Sequence, residues 1–183
     1  IPQASMSVLN PVVRIKDQFL DSFLRHDLRK IGKQGLLDRM AAYLQESLAG
    51  EEGVASPVIV GESYVAEGDP QFATGEGAAW ALAWCEGGGG GESYVNLIPT
   101  VDGGTHESGL KSGVFDSIRE FCLHHELLAR GVTLQSEDAW KHLRFVLSTR
   151  MLDPQFQGQT KAKLNSRDAV KLVASRLKDP LDA

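Results

Sequence analysis

The strand-like run that ends at Ile98 and the next one, which begins at Leu143, lie more than thirty residues apart. A tight hairpin cannot use that much chain. A crossover between parallel strands can, and such crossovers are right-handed in ~98% of cases. Helical periodicity fills the gap: Leu110, Gly113, Val114, Ser117, Ile118, Phe121 and Cys122 make one apolar or small face, with Lys111, Asp116, Arg119, Glu120 and His124 opposite. Gly103-Gly104 followed by Thr105 reads as a strand-to-helix turn with Thr105 as N-cap, and Gly131 ends the connection. Ser136 is placed to cap a short helix through Trp140 to His142. The fold class that follows is α/β, a single sheet with a right-handed βαβ crossover and helices packed on one face.

Upstream, strand character covers Val58 to Val60, Glu62 to Ala66, Ala78 to Cys85 and Ser93 to Ile98, and the Gly87–Gly91 run between the last two reads as a flexible hairpin tip. The pentapeptide Gly-Glu-Ser-Tyr-Val occurs at 61–65 and 91–95, but two short matches do not make a repeat architecture. Downstream, Leu143, Phe145 and Leu147 alternate with Arg144, Val146 and Ser148, the pattern of a half-buried strand. A loop spans Asp153 to Lys161. The last helix is expected to be capped by Asn165 or Ser166, to bury Val170, Val173 and Leu177, and to stop before Pro180.

Residues 1–50 form a helical segment that is poorly placed relative to the rest, so the expected division is 1–50 and 51–183. Asn10-Pro11 breaks the apolar run from Val8 to Ile15; Phe19-Leu20, Phe23-Leu24 and Leu28 then recur at helical spacing. Gly32 and Gly35 interrupt this pattern before a second amphipathic stretch, from Leu36-Leu37 to Leu48, that Gly50 is placed to stop.

The apolar fraction of 42% can fill a core, and no run approaches the ~18 apolar residues of a membrane span, so a soluble, cytoplasmic protein is expected. Ile1-Pro2-Gln3 is neither an initiator nor a signal peptide, as expected of a chain that begins inside something larger. Cys85 and Cys122 sit in apolar settings without a C-x-x-C or His/Cys cluster, which favours buried thiols over a disulfide or a metal pair. His26, His124 and His125 have no metal-ligand spacing either. The net charge of −5 conceals an asymmetry: Lys141 to Lys178 holds nine Lys/Arg against two acids, whereas the preceding 140 residues hold ten against twenty. A basic segment on an acidic chain points to phosphate, of a nucleotide or of DNA, unless it is a solvated helix face.

One loop carries chemistry in its residue types. In Asp153-Pro154-Gln155-Phe156-Gln157-Gly158-Gln159-Thr160-Lys161, Pro154 and Gly158 shape an irregular excursion. Gln159 and Lys161 then place a neutral donor and a compact positive charge close together, a pair suited to a terminal phosphate. The spacing alone is weak, since Gln-x-Lys is common on surfaces. His106 has no nucleophile or carboxylate marked as its partner, which favours a structural imidazole over a general base.

The run Ser93-Tyr94-Val95-Asn96-Leu97-Ile98-Pro99-Thr100, then Gly103-Gly104-Thr105-His106 and Gly109-Leu110, resembles the corresponding stretch in the B subunits of bacterial topoisomerase IV. So do Asp116 to Phe121, Arg130-Gly131-Val132, and Asp153 through Leu164 with Ser166-Arg167, in order and spacing over about 90–175. Leu-Ile-Pro-Thr and Asp-Pro-Gln-Phe are closer to topoisomerase IV than to gyrase, whose B chain shares the Gly-Gly-Thr-His and Gln-Thr-Lys elements.

The resemblance implies a transducer domain of the ribosomal-protein-S5-domain-2-like kind, in the ATPase subunit of a type IIA topoisomerase that passes one DNA duplex through another. It implies that Gln159 and Lys161 contact the ATP γ-phosphate, Lys161 in a catalytic role, with Thr160, Gly158 and Pro154 shaping the loop, and that closure of the ATP gate is relayed to the DNA gate. ATP and Mg2+ are the implied cofactors. The implied partners are DNA, the A chain of topoisomerase IV and, in a homodimer, a second copy of the same polypeptide. A transducer domain of this kind is expected to line a cavity for duplex DNA, and Arg144 and Arg150 are its candidate DNA-facing residues. The family's magnesium-binding helix, adenine-reading Asp and Gly-rich lid have no match here, and no P-loop occurs; the chain alone is expected neither to bind ATP tightly nor to hydrolyse it. Two alternatives stay open: a gyrase B transducer domain, and a freestanding nucleic-acid-binding module on the same scaffold.

Overall fold

The computed structural model describes residues 33–51 and 53–181. The apolar patterns at 8–15 and 19–28, together with His26 and Gly32, lie outside the described residues. The elements are α1 (Lys33–Leu48), β1 (Ile59–Tyr64), β2 (Gly77–Trp84), β3 (Gly90–Val95), β4 (Ile98–Pro99), α2 (Thr105–His124), α3 (Ser136–Trp140), β5 (Leu143–Arg150) and α4 (Asp168–Leu181).

The five strands make one sheet in the order β1-β2-β5-β3-β4. β3 and β5 are parallel, with Gly90 opposite Arg144 and Val95 opposite Thr149, and all other pairs are antiparallel. The long crossover therefore joins parallel neighbours, as its length requires. Because β5 inserts between β2 and β3, the Gly-rich run is not the hairpin tip expected. It carries the chain past the end of β5, and the Gly89 N–H donates to the Lys141 carbonyl at 2.6 Å.

Side chains alternate across the sheet and sort into two layers. Ala78, Trp80 and Leu82 of β2, with Leu143, Phe145 and Leu147 of β5, pack under Leu110 and Val114 of α2 and Val173 and Leu177 of α4. This is the expected layer of helices on one face. On the opposite face Ala79, Ala81, Ala83 and Val146 meet Leu37, Met40, Tyr43, Leu44 and Leu48 of α1. Strand β5 is therefore covered on both sides, rather than half-buried as its alternation implied. The small Ala side chains of β2 leave room for α1 to approach closely. Tyr43 and Tyr94 both donate to the Glu92 carboxylate at 2.6 Å, which ties α1 to β3.

Several local expectations are corrected. Gly35 lies inside α1, while Gly50 follows it with a positive φ of 93°, as a stop should. The strand expected from Ser93 to Ile98 breaks at Asn96 and Leu97, both with positive φ. The Asn96 side chain holds the turn by bonding the Met151 backbone in both directions. Gln135 takes the N-cap position of α3 in place of Ser136, and its backbone N–H donates to the Asp138 carboxylate at 2.8 Å. Burial along α2 ends near Ile118, so Phe121 is 52% exposed and Cys122 half-buried, while Cys85 is buried. The buried stripe of α4 is Ala169, Leu172, Val173 and Leu177, with Val170 at its margin, and the helix continues through Pro180 to Leu181. No described helix is long and apolar enough to cross a membrane.

Candidate functional site

The Asp153–Lys161 loop is the outer half of a backbone excursion that folds back on itself. Phe156 bridges Leu164, the Gln157 N–H donates to the Lys163 carbonyl at 2.8 Å, and the Asn165 N–H donates to the Gln155 carbonyl at 2.8 Å. These contacts make a short stem whose tip is Gly158 to Ala162. Gly158 (φ 79°) and Lys161 (φ 55°) supply the left-handed residues that turn the chain, and Pro154 leads into the stem half-buried. Gln159, Thr160 and Lys161 are all exposed at the tip. The Lys161 ammonium lies 5.8 Å from the centre of the Phe156 ring. The structure thus brings together an amide, a hydroxyl and an ammonium on a loop that projects from the sheet, with no carboxylate among them.

The stem stands on the Gly103-Gly104 turn. The Asp102 N–H donates to the Ala162 carbonyl (2.8 Å), the Leu164 N–H to the Gly103 carbonyl (3.0 Å) and the Thr105 N–H to the Leu164 carbonyl (3.1 Å). Gly104, at φ 142°, lies so close to Leu164 that a Cβ would strike its backbone. Thr105 is accordingly the first residue of α2 and not its N-cap: Gly104 takes that position without a side-chain bond, and Leu164 satisfies the Thr105 N–H. Ser166 meets the start of α4 through its backbone carbonyl, which accepts the Ala169 N–H at 3.2 Å, while its hydroxyl accepts the Gln155 N–H at 2.7 Å. The motif blocks around 103–106 and 153–166 are one structure, although the sequence keeps them fifty residues apart.

Beneath the turn lies a polar cluster that sequence reasoning missed. His106 is fully buried, with Nε2 2.9 Å from Thr100 Oγ1. Thr100 Oγ1 donates to the Ser93 carbonyl (2.8 Å) and lies 2.6 Å from Ser93 Oγ, which donates to Glu107 Oε1 at 2.6 Å. Thr100 Oγ1 and His106 Nε2 share one hydrogen, whose donor is set by the imidazole tautomer, and Nδ1 has no hydrogen-bond partner. Burial lowers the His106 pKa to about 4, while burial raises that of Glu107 against the Ser93 hydrogen bond. His106 is a neutral structural imidazole. The signal that marks the cluster is polar residues in otherwise apolar settings, Ser93 in a strand and His106 in a helix.

A cleft of about 610 Å3 opens beside the stem, between the β1–β2 loop (Phe72, Glu76), the end of β5 (Met151, Leu152) and the start of α4 (Arg167, Asp168). The two candidate DNA-facing arginines lie at opposite ends of β5. Arg144 pairs with Glu51 at 3.2 Å and is largely enclosed, whereas Arg150 is exposed and lies 5.4 Å from the Tyr64 ring.

Comparison with known proteins bears on the whole arrangement. A family model described as DNA gyrase B matches residues 39–183. The B subunit of DNA topoisomerase 4 from Haemophilus influenzae is 45% identical over 144 residues, 78% of this chain and 22% of that protein. The Escherichia coli K12 protein of the same name is 41% identical over 175 residues, 94% of this chain and 26% of that protein. The chain therefore spans about a quarter of the length of these relatives. Among solved structures, the topoisomerase IV ATP binding domain of Francisella tularensis, in complex with a small molecule inhibitor, matches at 31% identity and TM-score 0.58 over 78% of this chain and 36% of that one. The 43K ATPase domain of Thermus thermophilus gyrase B, in complex with an aminocoumarin, shares the fold at 22% identity and TM-score 0.66, over 78% and 37%. With 145 of its 183 residues inside the family model and its sheet, crossover and loop in one folded unit, the chain belongs to the DNA gyrase B family, in a region that aligns with topoisomerase 4 B subunits.

Proposed function

We propose that this domain acts as the transducer of a topoisomerase IV ATPase subunit, with the tip of the 155–165 stem reaching the γ-phosphate of ATP held by a separate nucleotide-binding domain. The observation that carries the reading is the exposed Gln159–Lys161 tip on a stem anchored by backbone hydrogen bonds to the 102–105 turn that leads into α2. Lys161 would place a positive charge, and Gln159 a neutral donor, against oxygens that gain charge as the phosphoryl group transfers. Because the stem is fixed to the sheet, occupation of the tip would pull on the whole domain, which links nucleotide state to the orientation of the DNA gate. Magnesium, a hard cation that seeks anionic oxygens, does not fit a tip built of amide, hydroxyl and ammonium; its ligands belong to the nucleotide-binding domain. DNA as the object of duplex passage, the A chain of topoisomerase IV, a second copy of the present polypeptide and a cytoplasmic location complete the proposal, supported by the topoisomerase 4 names of the relatives.

In the full-length protein, Lys161→Ala is expected to lower ATP turnover by several orders of magnitude and leave nucleotide affinity largely intact, since a cation on the transferring group acts chiefly in the transition state. Gln159→Ala removes a neutral hydrogen bond and should be milder. Steady-state turnover and equilibrium nucleotide binding, measured side by side, check both. Turnover near wild type in Lys161→Ala would remove Lys161 from the mechanism.

A further inference from the structure

We infer that Thr100, His106 and Glu107 are positioning residues for the tip: their buried hydrogen-bond cluster locks the 100–104 turn to strand β3, and the turn in turn aims the stem that carries Gln159 and Lys161. The inference rests on the proposed role of that tip and adds to it the device that points it. Two sets of bonds meet at the turn. On the sheet side, Thr100 N–H donates to the Ser93 carbonyl at 2.9 Å, Thr100 Oγ1 bonds both Ser93 and His106, and Ser93 Oγ reaches Glu107. On the stem side, Asp102, Gly103 and Thr105 hold Ala162 and Leu164 through three backbone bonds. Between the two sets the Gly103 N–H closes the turn on the Thr100 carbonyl at 2.8 Å. The Glu107 carboxylate lies over Gly103, where a Cβ would sit 2.5 Å from Oε2.

The cluster is more than filling. An apolar triad of the same volume would pack at least as well, because buried polar groups contribute little net stability. Hydrogen bonds have directions that apolar contacts lack, and four residues bonded in series allow one arrangement of the turn. A tip that must meet phosphate oxygens within hydrogen-bond distance needs that fixity, since a displacement of about 1 Å costs roughly a hundredfold in rate.

The test uses the full-length protein with Thr100→Val, which keeps shape and deletes the hydroxyl, beside Thr100→Ser, which restores it. Thr100→Val should lower ATP turnover at least tenfold with nucleotide affinity changed less than threefold, and Thr100→Ser should recover most of the loss. Amide hydrogen exchange supplies a readout independent of ATP. Leu164 and Asp102 should exchange at least tenfold faster in Thr100→Val, while amides of β2 and β5 keep their protection. Unchanged exchange at Leu164 overturns the inference, as does turnover within twofold of wild type. If Thr100→Val does not fold, Glu107→Gln, which keeps an acceptor for Ser93, and Glu107→Leu, which does not, take its place with the same readouts. Should Lys161→Ala itself retain turnover, the reading of the tip fails, while the exchange data still decide whether the cluster holds the stem.

Discussion

His106 is the residue whose chemistry depends most on where the fold puts it. Fully buried beside Thr100, it resists protonation until pH falls to about 4, against 6.5 for a solvated imidazole. Between those values the unfolded chain takes up a proton that the folded one refuses. The associated stability is complete above pH 6.5, falls as pH drops through the window and is gone below about 4; at 1.4 kcal/mol per unit the full amount is about 3 kcal/mol. Glu107 works in the opposite sense, because burial raises its pKa and the folded state binds its proton the more readily as pH falls. Urea unfolding at pH 7, 5.5 and 4.5 should therefore show His106→Gln losing less stability with acidification than the wild type. Parallel profiles would show that His106 does not govern the acid response.

Among the elements, α2 and α4 pack against each other most extensively, and a glycine permits it. A Cβ on Gly109 would stand 2.6 Å from the Val170 carbonyl and 3.0 Å from the Val173 Cβ, whereas one on Gly113 would meet α4 no nearer than 3.1 Å. Gly109→Ala gains up to about 1 kcal/mol of helix propensity but forces the helices apart, at a cost of about 1–3 kcal/mol. Since α4 follows directly on the stem at 155–165, the strain would reach the site as well as the core. A fall in Tm of a few degrees is expected for Gly109→Ala, with Gly113→Ala nearer neutral, by calorimetry. A Gly109→Ala protein as stable as wild type would mean that the helices separate freely. At this scale the sequence was legible in part. The periodicity of α2 and the strand character of β2 and β5 were plain, but the turn at Asn96-Leu97 was hidden because Leu rarely takes a positive φ and nothing local announces it. The cap of α2 was misassigned for a related reason: backbone from a distant segment had already bonded the group that a local cap would serve.

The whole molecule carries its positive charge unevenly, and folding decides how much of it is free. Arg144, Arg176 and Lys178 are paired with Glu51, Asp69 and Glu120, while Arg150, Lys163, Arg167 and Lys171 are exposed and, among the described residues, make no ion pair. On the proposed role in duplex passage, DNA would be held by its phosphates alone, so binding should be weak, indifferent to sequence and salt-sensitive. Anisotropy with two unrelated duplexes should give equal affinities that fall roughly 40-fold between 50 and 200 mM salt, as about three phosphate contacts require. Preference for one duplex, or insensitivity to salt, would contradict a transport surface. Within the full-length protein, Arg150→Ala should reduce DNA-stimulated ATP turnover more than basal turnover, and Arg144→Ala should reduce both together, because it leaves Glu51 partly buried without its partner.

The sequence by itself determined that a crossover joins two parallel strands, that helices cover one face of a single sheet, and that Gln159 and Lys161 share a loop bent by Pro154 and Gly158. Each of these rests on spacing or local conformational preference, which a chain carries whether folded or not. Only the tertiary structure decided that β5 separates β2 from β3, that α1 covers the second face, that Arg144 is enclosed, and that the turn at 103–104 and the stem at 155–165 are one object resting on Ser93, Thr100, His106 and Glu107. Those outcomes depend on which distant backbone groups and side chains meet, and hydrogen bonds between residues far apart in the sequence, such as Gly103 and Leu164, leave no periodic trace in the chain that forms them.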